Sequence, residues 1–397
     1  MNMHPFRLYL ALLLLGSTAS AQDSWTLTTA DFKTEPVTLK SLDSSGAKVL
    51  PASGGDERTI PMDQFLLVHR ALPVTPPSGR FVLHMTEGDK IGGEPVSLKG
   101  ESLVWKNPAL GEITIPGSRL VAITVPDKPA PQERKREDMV SLANGDTVHG
   151  IISSLSPEKI TLQTDAGNSD VPMASIAGVT FAATPSVGSD ARAFRVRLDD
   201  GSSLIGPDVK LQGGSLVLTL GKNADRKLAI GHVTTIEQVN GPVSWLSSRA
   251  PSEALYYPFF GTSQETPLRI DRSWTGGPIN FKDTSYAHGI GVHAYSRLTW
   301  ALDGKYEAFR TRFAVDGDSP EADVTVRVKL DDKTVFEQPH VRAGALSPVV
   351  VQDLAGAKKL TLEVDGGTGY VEDRLNWIEP ALLKHKPAEV PTTAPAE

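Results

Sequence analysis

The sequence predicts an all-β protein in which small N-terminal β units are followed by a larger β-sandwich. Three observations lead to this fold class. Apolar and polar residues alternate with a period of two along most of the chain, which is typical of strands with one buried face. Asn-Gly and Asp-Gly pairs separate several of these segments, as expected for tight hairpin turns. The periodicity of amphipathic helices is nearly absent.

The first residues predict a signal peptide over residues 1–21. Arg7 precedes an apolar run from Leu8 to Leu15, and small residues ending in Ala19-Ser20-Ala21 follow. The apolar run is too short to span a bilayer, and Ala-x-Ala is the pattern at which signal peptidase cleaves. We therefore expect cleavage near Ala21 and a secreted protein, either periplasmic or extracellular. An uncleaved anchor is the alternative for this segment.

The composition excludes several classes of function. The chain contains no cysteine, which excludes disulfides, thiolate nucleophiles, cysteine zinc sites and iron–sulfur clusters. The formal net charge is -7, and the one basic cluster, Arg134-Lys135-Arg136, is flanked by glutamates, so no nucleic-acid partner is predicted. No later stretch is long and apolar enough for a transmembrane segment.

The first half of the chain repeats a pattern of turn glycines. Three segments begin at Glu87, Asn144 and Asp200, and each has a turn glycine followed five positions later by a second glycine. Alternating apolar residues flank each segment, as in antiparallel strands. The predicted units cover residues 22–75, which form a degenerate copy, 76–126, 137–184 and 190–245, with a Pro-rich charged linker at 127–136.

Each unit resembles an Sm-like or SH3-like small barrel. The resemblance rests on the turn glycines, on a later pair such as Ile115-Pro116 or Val171-Pro172, and on an aliphatic ending. Two interpretations are open. The units are spacers or self-association modules without a ligand site, or they take part in binding.

The segment 255–384 has a different composition and does not repeat this pattern. From Pro267 to Leu383, short alternating segments are dense and are separated by turn signals such as Asp331-Asp332-Lys333. This arrangement favours two packed antiparallel sheets over a barrel. The final residues, 385–397, are rich in Pro, Ala and Thr and are predicted to be disordered.

Ordered blocks within this segment carry a family resemblance. The blocks are Tyr286-Ala287-His288-Gly289-Ile290-Gly291-Val292-His293-Ala294, Leu302-Asp303-Gly304-Lys305-Tyr306, Val315-Asp316-Gly317-Asp318, Val328-Lys329-Leu330-Asp331-Asp332-Lys333-Thr334-Val335-Phe336, Leu354-Ala355-Gly356-Ala357-Lys358-Lys359-Leu360 and Asp373-Arg374-Leu375-Asn376-Trp377. In this order they resemble the NPCBM domain, a carbohydrate-binding module. The resemblance implies a jelly-roll sandwich like that of galactose-binding domains, binding of glycans of galactose type, often a structural calcium, and no catalysis.

Two blocks depart from the family pattern. The last block of the family usually has the sequence Asp-His-Ala-Asp-Trp, whereas this chain has Asp373-Arg374-Leu375-Asn376-Trp377. Arginine replaces a titratable donor with a forked guanidinium, so the resemblance does not assign a particular sugar. The usual Asp-Gly hairpin is Asp331-Asp332 in this chain.

The candidate carbohydrate contacts combine hydrogen-bonding groups for sugar hydroxyls with aromatic faces for the apolar side of a pyranose. They are Trp274, His288, His293, Tyr295, Asp373, Arg374, Asn376 and Trp377. Trp274 lies in a Gly-rich loop and is a candidate stacking platform. Trp377 opens the last strand, where a core position is the alternative to a ligand contact.

The two histidines of the first block are predicted to lie on opposite faces of a strand. His288 and His293 are five residues apart, so a shared metal is not predicted. Gly289 and Gly291 share a face with His293. The glycines form a shallow floor for a sugar ring, or they make room for a bulky neighbour while His293 is a core histidine.

The acidic run from Asp316 to Asp323 suggests a structural calcium, with Asp316 and Asp318 as candidate ligands. It does not fit the EF-hand pattern, so a solvated loop is the alternative.

Common catalytic templates, such as G-x-S-x-G, H-E-x-x-H and the P-loop, are absent. We therefore predict a secreted, non-enzymatic carbohydrate-binding protein whose partners are glycans. One alternative is an envelope or adhesion protein that self-assembles through its repeats and binds protein through the sandwich. Another is an accessory of a glycoside hydrolase system with cryptic hydrolase activity, because the spacing of two catalytic carboxylates is three-dimensional.

Overall fold

The computed structural model describes residues 24–73, 75–126, 128, 136–183, 191–221, 224–257, 268–282, 284–366 and 372–385. The predicted signal peptide at 1–21, most of the predicted linker at 127–136 and nearly all of the predicted tail at 385–397 lie outside these residues. The described residues form 34 β-strands and only short 3-10 helices, so the predicted all-β class is confirmed. None of the described helices is long and apolar enough to cross a membrane.

Residues 24–239 form four successive units. The first contains β1 (Ser24–Thr29), β2 (Thr34–Asp43), β3 (Gly46–Pro51), β4 (Arg58–Pro61) and β5 (Phe65–His69). The second contains β6 (Phe81–Met85), β7 (Lys90–Lys99), β8 (Ser102–Asn107), β9 (Gly111–Pro116) and β10 (Leu120–Thr124). The third contains β11 (Asp138–Leu142), β12 (Thr147–Leu155), β13 (Lys159–Thr164), β14 (Gly167–Pro172) and β15 (Ile176–Thr180). The fourth contains β16 (Ala193–Leu198), β17 (Ser203–Gly206), β18 (Asp208–Gln212), β19 (Ser215–Thr219), β20 (Asp225–Ala229) and β21 (Val233–Val239).

The four units share one connectivity. In the first unit β1 pairs with β2, β2 with β3 and β3 with β4, and β5 returns to pair with β1, all antiparallel. The last strands β10, β15 and β21 return in the same way to β6, β11 and β16. Among the described residues, the last two strands of a unit are not hydrogen-bonded to each other. The units are therefore open sheets rather than closed barrels.

Short 3-10 helices connect the last two strands in three of the units. They are Gly117–Arg119, Met173–Ser175 and Ile230–His232, and the remaining described 3-10 helices are Thr86–Gly88 and Leu246–Ser248.

The second glycine of each repeat lets a neighbouring strand approach the backbone closely. Gly93 and Gly150 have φ of 149° and 158°, and Gly206 is the corresponding residue of the fourth unit. A Cβ atom at Gly150 would lie 2.5 Å from the carbonyl oxygen of Gln163. Cβ atoms at the other two glycines would clash with carbonyl oxygens at equivalent places on the facing strand. One steric requirement of the bent strand therefore explains why this glycine recurs in the sequence.

The units associate in pairs through their last strands. β5 pairs with β21, with Val68 opposite Ile236, and β10 pairs with β15. Ser203 of β17 pairs with Lys90 of β7, which joins the second and fourth units. Each last strand is thus paired on both of its edges, and one hydrophobic core extends through all four units.

Residues 243–383 form a sandwich of antiparallel sheets, which confirms the predicted architecture. Its strands are β22 (Val243–Trp245), β23 (Glu253–Tyr256), β24 (Arg269–Ile270), β25 (Ile279–Phe281), β26 (Thr284–Tyr286), β27 (Gly289–His293), β28 (Ser296–Ala301), β29 (Ala308–Val315), β30 (Val324–Leu330), β31 (Lys333–Val341), β32 (Val350–Asp353), β33 (Lys359–Gly366) and β34 (Arg374–Leu383). One sheet has the order β24-β27-β34-β29-β32, with β22 also paired to β34. The other has the order β23-β28-β33-β30-β31, and β25 pairs with β26 as a separate hairpin.

The six-stranded sheet also packs against the N-terminal units. Its outer face presents Trp245 and Ala308 to a cluster that contains Leu66 and Phe32 of the first unit. The guanidinium carbon of Arg310 lies 3.7 Å from the centre of the Phe32 ring. The sandwich and the first unit therefore share an apolar interface.

We expect Gly150→Ala to lower the free energy of unfolding by about 1–3 kcal/mol, because the added methyl group would meet the carbonyl oxygen of Gln163. Urea denaturation of the full-length chain measures this change. Gly231→Ala is the matched control, since no atom lies within 4 Å of a Cβ atom added there. Equal stabilities of the two variants would contradict the steric explanation.

Candidate functional site

Three aromatic rings meet at one edge of the sandwich. The Trp274 ring lies 5.2 Å from the ring of Tyr256 and 5.7 Å from that of His293, measured between centres. Tyr256 ends β23, Trp274 lies in the turn after β24, and His293 ends β27. Tyr256 and Trp274 are partly exposed, whereas His293 is buried. This edge therefore presents an aromatic surface that is backed by an imidazole.

The turn that carries Trp274 packs directly on the backbone of β27. A Cβ atom at Gly291 would lie 2.6 Å from the carbonyl carbon of Ser273 and 2.6 Å from the nitrogen of Trp274. At Gly289 it would lie 2.5 Å from the Cδ1 atom of Ile279. The glycines therefore make room for neighbouring groups, and the alternative of an open glycine floor for a sugar ring is wrong.

Polar groups lie beside the rings. Arg374 is directly opposite His293 in strand register, and its Nη1 atom lies 3.3 Å from Oδ2 of Asp318. Asp373 is 2% exposed, and its Oδ1 atom accepts a hydrogen bond of 3.2 Å from the backbone N–H of Asp323. Its Oδ2 atom has no hydrogen-bond partner among the described residues, and burial raises the pKa of this carboxyl. The Asp373 carboxylate is thus buried near His293, with one oxygen that no described group hydrogen-bonds.

Besides His293 and Asp373, three more of the predicted contacts are buried. Trp377 has no exposed surface and packs against Phe313, with ring centres 5.8 Å apart. Asn376 is 2% exposed, and its amide donates a hydrogen bond to Asp316. His288 is also 2% exposed. Trp377 takes the core position that was the alternative for it, because β34 is a central strand whose two faces are both covered. Ligand contacts of His288 and Asn376 stay predictions.

The remaining predicted contacts are brought together at this edge. Trp274 contacts His293, Arg374 is opposite His293 in register, Asp373 accepts a backbone hydrogen bond from Ala294, and the partly exposed Tyr295 follows His293 by two residues. The sequence-based prediction did not include Tyr256, which completes the aromatic cluster. The signal that could have found it is the aromatic pair Tyr256-Tyr257 in the segment that leads into the sandwich.

His288 forms an ion pair across the boundary with the fourth unit. Its Nε2 atom lies 2.8 Å from Oε1 of Glu237, and both side chains are buried. The Trp245 indole stacks on the imidazole at 4.4 Å and donates a hydrogen bond of 3.0 Å to Oε1 of Glu237. The Nη1 atom of Arg197 lies 3.3 Å from Oε2 of Glu237. Burial opposes protonation of His288, but the charges of Glu237 and Asp271 outweigh it and raise the His288 pKa to about 9.

The predicted metal ligands, Asp316 and Asp318, are engaged with neighbouring side chains. Asp316 accepts a hydrogen bond from Asn376, and Asp318 forms an ion pair with Arg374. In the part of the chain that the structure describes, no group of three or more His, Asp or Glu side chains is placed to hold a metal ion. Calcium binding stays a prediction.

A second concavity lies at the opposite end of β28. Its volume is about 690 Å³, and the loops at 302–307 and 353–358 line it. Its one aromatic ring is that of Tyr306, whose hydroxyl accepts a hydrogen bond of 3.0 Å from Arg249. Stacking groups are therefore concentrated at the Trp274 edge rather than in this concavity.

The chain matches a known domain family over the sandwich. Residues 243–383 match the family model of the NPCBM/NEW2 domain. We refer to this segment as the NPCBM/NEW2 domain, after the family model that it matches. The resemblance predicted from the ordered blocks is thereby confirmed, and the match begins at 243 rather than at the predicted 255. The difference follows from β22, which pairs with the last strand of the NPCBM/NEW2 domain.

Several solved structures are similar to this chain. One is a CBM51 module from Clostridium perfringens GH95 in complex with methyl-galactose, with 24% identity, a TM-score of 0.31, and coverage of 35% of this chain and 99% of that one. Another contains the CBM51-2 and INT domains of Clostridium perfringens ZmpB, with 20% identity, a TM-score of 0.32, and coverage of 44% of this chain and 37% of that one. A third contains tandem CBM51 modules of a family 98 glycoside hydrolase from Streptococcus pneumoniae, with 12% identity, a TM-score of 0.32, and coverage of 62% and 87%. No curated protein matches the chain.

The buried ion pair predicts a stability that depends on pH. The folded-state pKa of His288, about 9, lies above its ordinary value of 6.5, so its stabilisation is complete below about pH 6.5 and is lost as pH rises through about 9. The pKa of Glu237 is lowered from its ordinary value of 4.5, so the stabilisation that this carboxylate gives to the fold is fully present above about pH 4.5. The free energy of unfolding from urea denaturation should therefore decline between about pH 6.5 and 9.

Glu237→Ala leaves the His288 charge buried without its main partner. We therefore expect this substitution to lower the free energy of unfolding by about 3–5 kcal/mol near pH 6. The decline in stability between about pH 6.5 and 9 should also become shallower. Glu363→Ala is the control, because this carboxylate pairs with Lys329 on the partly exposed face of the other sheet, where about 1 kcal/mol is expected. An unchanged pH profile in Glu237→Ala would contradict the assignment.

Proposed function

We propose that the NPCBM/NEW2 domain binds a glycan at the edge formed by Tyr256, Trp274 and His293, and that the protein is a secreted, non-catalytic carbohydrate-binding protein. The observation that carries the proposal is the partly exposed aromatic pair of Tyr256 and Trp274, next to His293 and to the partly exposed guanidinium of Arg374, which is opposite His293 in strand register. Secretion rests on the signal peptide that the sequence predicts at 1–21.

The geometry matches the chemistry of a pyranose. One face of a sugar ring carries C–H groups that pack on an aromatic surface such as that of Trp274, while the hydroxyls need fixed donors and acceptors. Arg374 supplies a partly exposed guanidinium that is held by Asp318, and the Asp373 carboxylate lies buried near His293. Stacking and hydrogen bonding are thus available within one edge of the sandwich.

The carboxyl groups near this edge favour glycan binding over glycoside hydrolysis. Glycoside hydrolysis requires two carboxyl groups with separate acid and nucleophile or base roles. The carboxylate of Asp323, which neighbours Asp373, is engaged by Arg342 at 2.8 Å and by His340 at 3.2 Å. The hydrogen bond from Arg342 lowers the pKa of Asp323, which makes this carboxyl a poor general acid.

The pairing of the N-terminal units weighs against ring assembly through their last strands. β5, β10, β15 and β21 already have hydrogen-bonded neighbours on both edges within one chain. Further copies would have to add at other strands. We therefore favour glycan binding over the self-assembly alternative.

The test is a glycan array with the full-length chain, followed by calorimetric titration with a galactoside, the class that the family resemblance implies. We expect Trp274→Ala to weaken binding at least about tenfold, because loss of the stacking face removes about 1.4 kcal/mol or more. Tyr306→Ala is the matched control, since it truncates a partly buried aromatic residue at the opposite end of β28.

Three outcomes would overturn this proposal. Silence of the wild-type chain across the whole array would contradict glycan binding itself. An equal loss of affinity in both variants would point to general destabilisation of the fold. A loss of affinity confined to Tyr306→Ala would place the site in the second concavity.

A further inference from the structure

The fourth N-terminal unit inserts a charged side chain beneath the glycan-binding edge. Glu237 lies on β21 and is 1% exposed, and its Oε1 atom contacts His288 at 2.8 Å. His288 immediately precedes β27, the strand on which the Trp274 turn rests. A residue outside the NPCBM/NEW2 domain therefore contacts the residue that leads into the strand under the Trp274 turn.

The contact continues from His288 to the start of the turn. The Nδ1 atom of His288 lies 3.5 Å from the hydroxyl oxygen of Ser247 and 3.7 Å from Oδ1 of Asp271. The same oxygen accepts a hydrogen bond of 3.0 Å from the backbone N–H of Gly289, and the N–H of Asp271 donates to the carbonyl oxygen of Gly289 at 2.8 Å. Asp271 has a left-handed φ of 51°, which directs the chain out of β24 and into the turn. Its conformation is thus held by β27 and by His288.

The turn itself is closed by its own hydrogen bonds. The backbone N–H of Ser273 donates to the carbonyl oxygen of Gly277 at 2.9 Å, and that of Gly276 donates to Ser273 at 2.9 Å. Trp274 is at the tip between them. The turn is therefore closed on itself, packs on Gly291 and begins just after Asp271.

We propose that Glu237 is a positioning residue of the glycan site, which fixes the Trp274 turn through His288 and Asp271 and makes the N-terminal units part of the binding machinery. That the ligand is a glycan rests on the proposed function. The effect of Glu237 on the position of the turn is independent of that proposal, because it can be measured without a ligand.

The charged groups around Glu237 and His288 determine the orientation of the His288 imidazole. Glu237 and Asp271 face His288 from two sides, and Arg197 and Arg195 face Glu237 from β16. An apolar pair would hold the two bodies together with less desolvation cost, but it would not fix the orientation of the imidazole. The buried ion pair orients His288 so that its second nitrogen faces Asp271.

The test uses Glu237→Gln in the full-length chain, which keeps the shape of the side chain and removes its charge. Backbone hydrogen exchange of residues 271–277 should accelerate at least about tenfold, while exchange in β29 and β34 stays close to wild type. Affinity for a galactoside should fall several-fold. Glu363→Gln is the control, because it removes an equivalent charge from the other sheet.

A second readout separates positioning from general stability. The ring protons of His288, followed by NMR, should titrate near pH 9 in the wild type and at lower pH in Glu237→Gln, because the main charge that favours protonation is gone. Asp271→Asn gives an independent variant if Glu237→Gln folds poorly, and it should accelerate exchange in the same residues.

Unchanged exchange at 271–277 in both variants would overturn the inference. A wild type that binds no glycan, combined with faster exchange in the variants, would overturn the proposed function and support the structural link.

Discussion

The six-stranded sheet has two apolar faces, and covering both of them determines the arrangement of the molecule. The other sheet of the sandwich covers the inner face. At the outer face, Ile279 of the β25 hairpin packs against Ala314 and Ile378, while the first N-terminal unit covers the region around Ala308. An open sheet in which both faces are hydrophobic would not be stable in water without these partners. In an isolated sandwich, the apolar residues on this outer face would be exposed to water. Here they form the interface with the N-terminal units.

Much of the fold could be predicted because it depends on local requirements. The glycine at the bend of each repeated hairpin recurs because backbone atoms occupy the place of its side chain. The hairpin at Asp331-Asp332 formed as predicted although glycine is missing, and both residues adopt left-handed φ of 47° and 70°. Aspartate tolerates this conformation better than most residues do, which explains how the family's glycine can be replaced.

The contacts between distant segments could not be predicted in the same way. The last strands of the four units are similarly aliphatic, so the sequence does not specify that β5 pairs with β21 rather than with β10. The contact of Glu237 with His288 joins residues that are far apart in the chain, and no local pattern marks it. Asn376 and Trp377 were assigned to a ligand because their side chains have the chemistry that sugar recognition needs. In β34 both faces are covered, so alternation cannot identify an accessible residue.

The pairing of last strands has a consequence for how such a chain can change in length. Each unit completes the exposed edge of a partner unit, in the way that two halves of a symmetric dimer do. Deleting a single unit would leave an unpaired aliphatic strand, which is a template for aggregation. Gain or loss of units by duplication is therefore tolerated most easily two at a time, and an even number of units is the stable outcome.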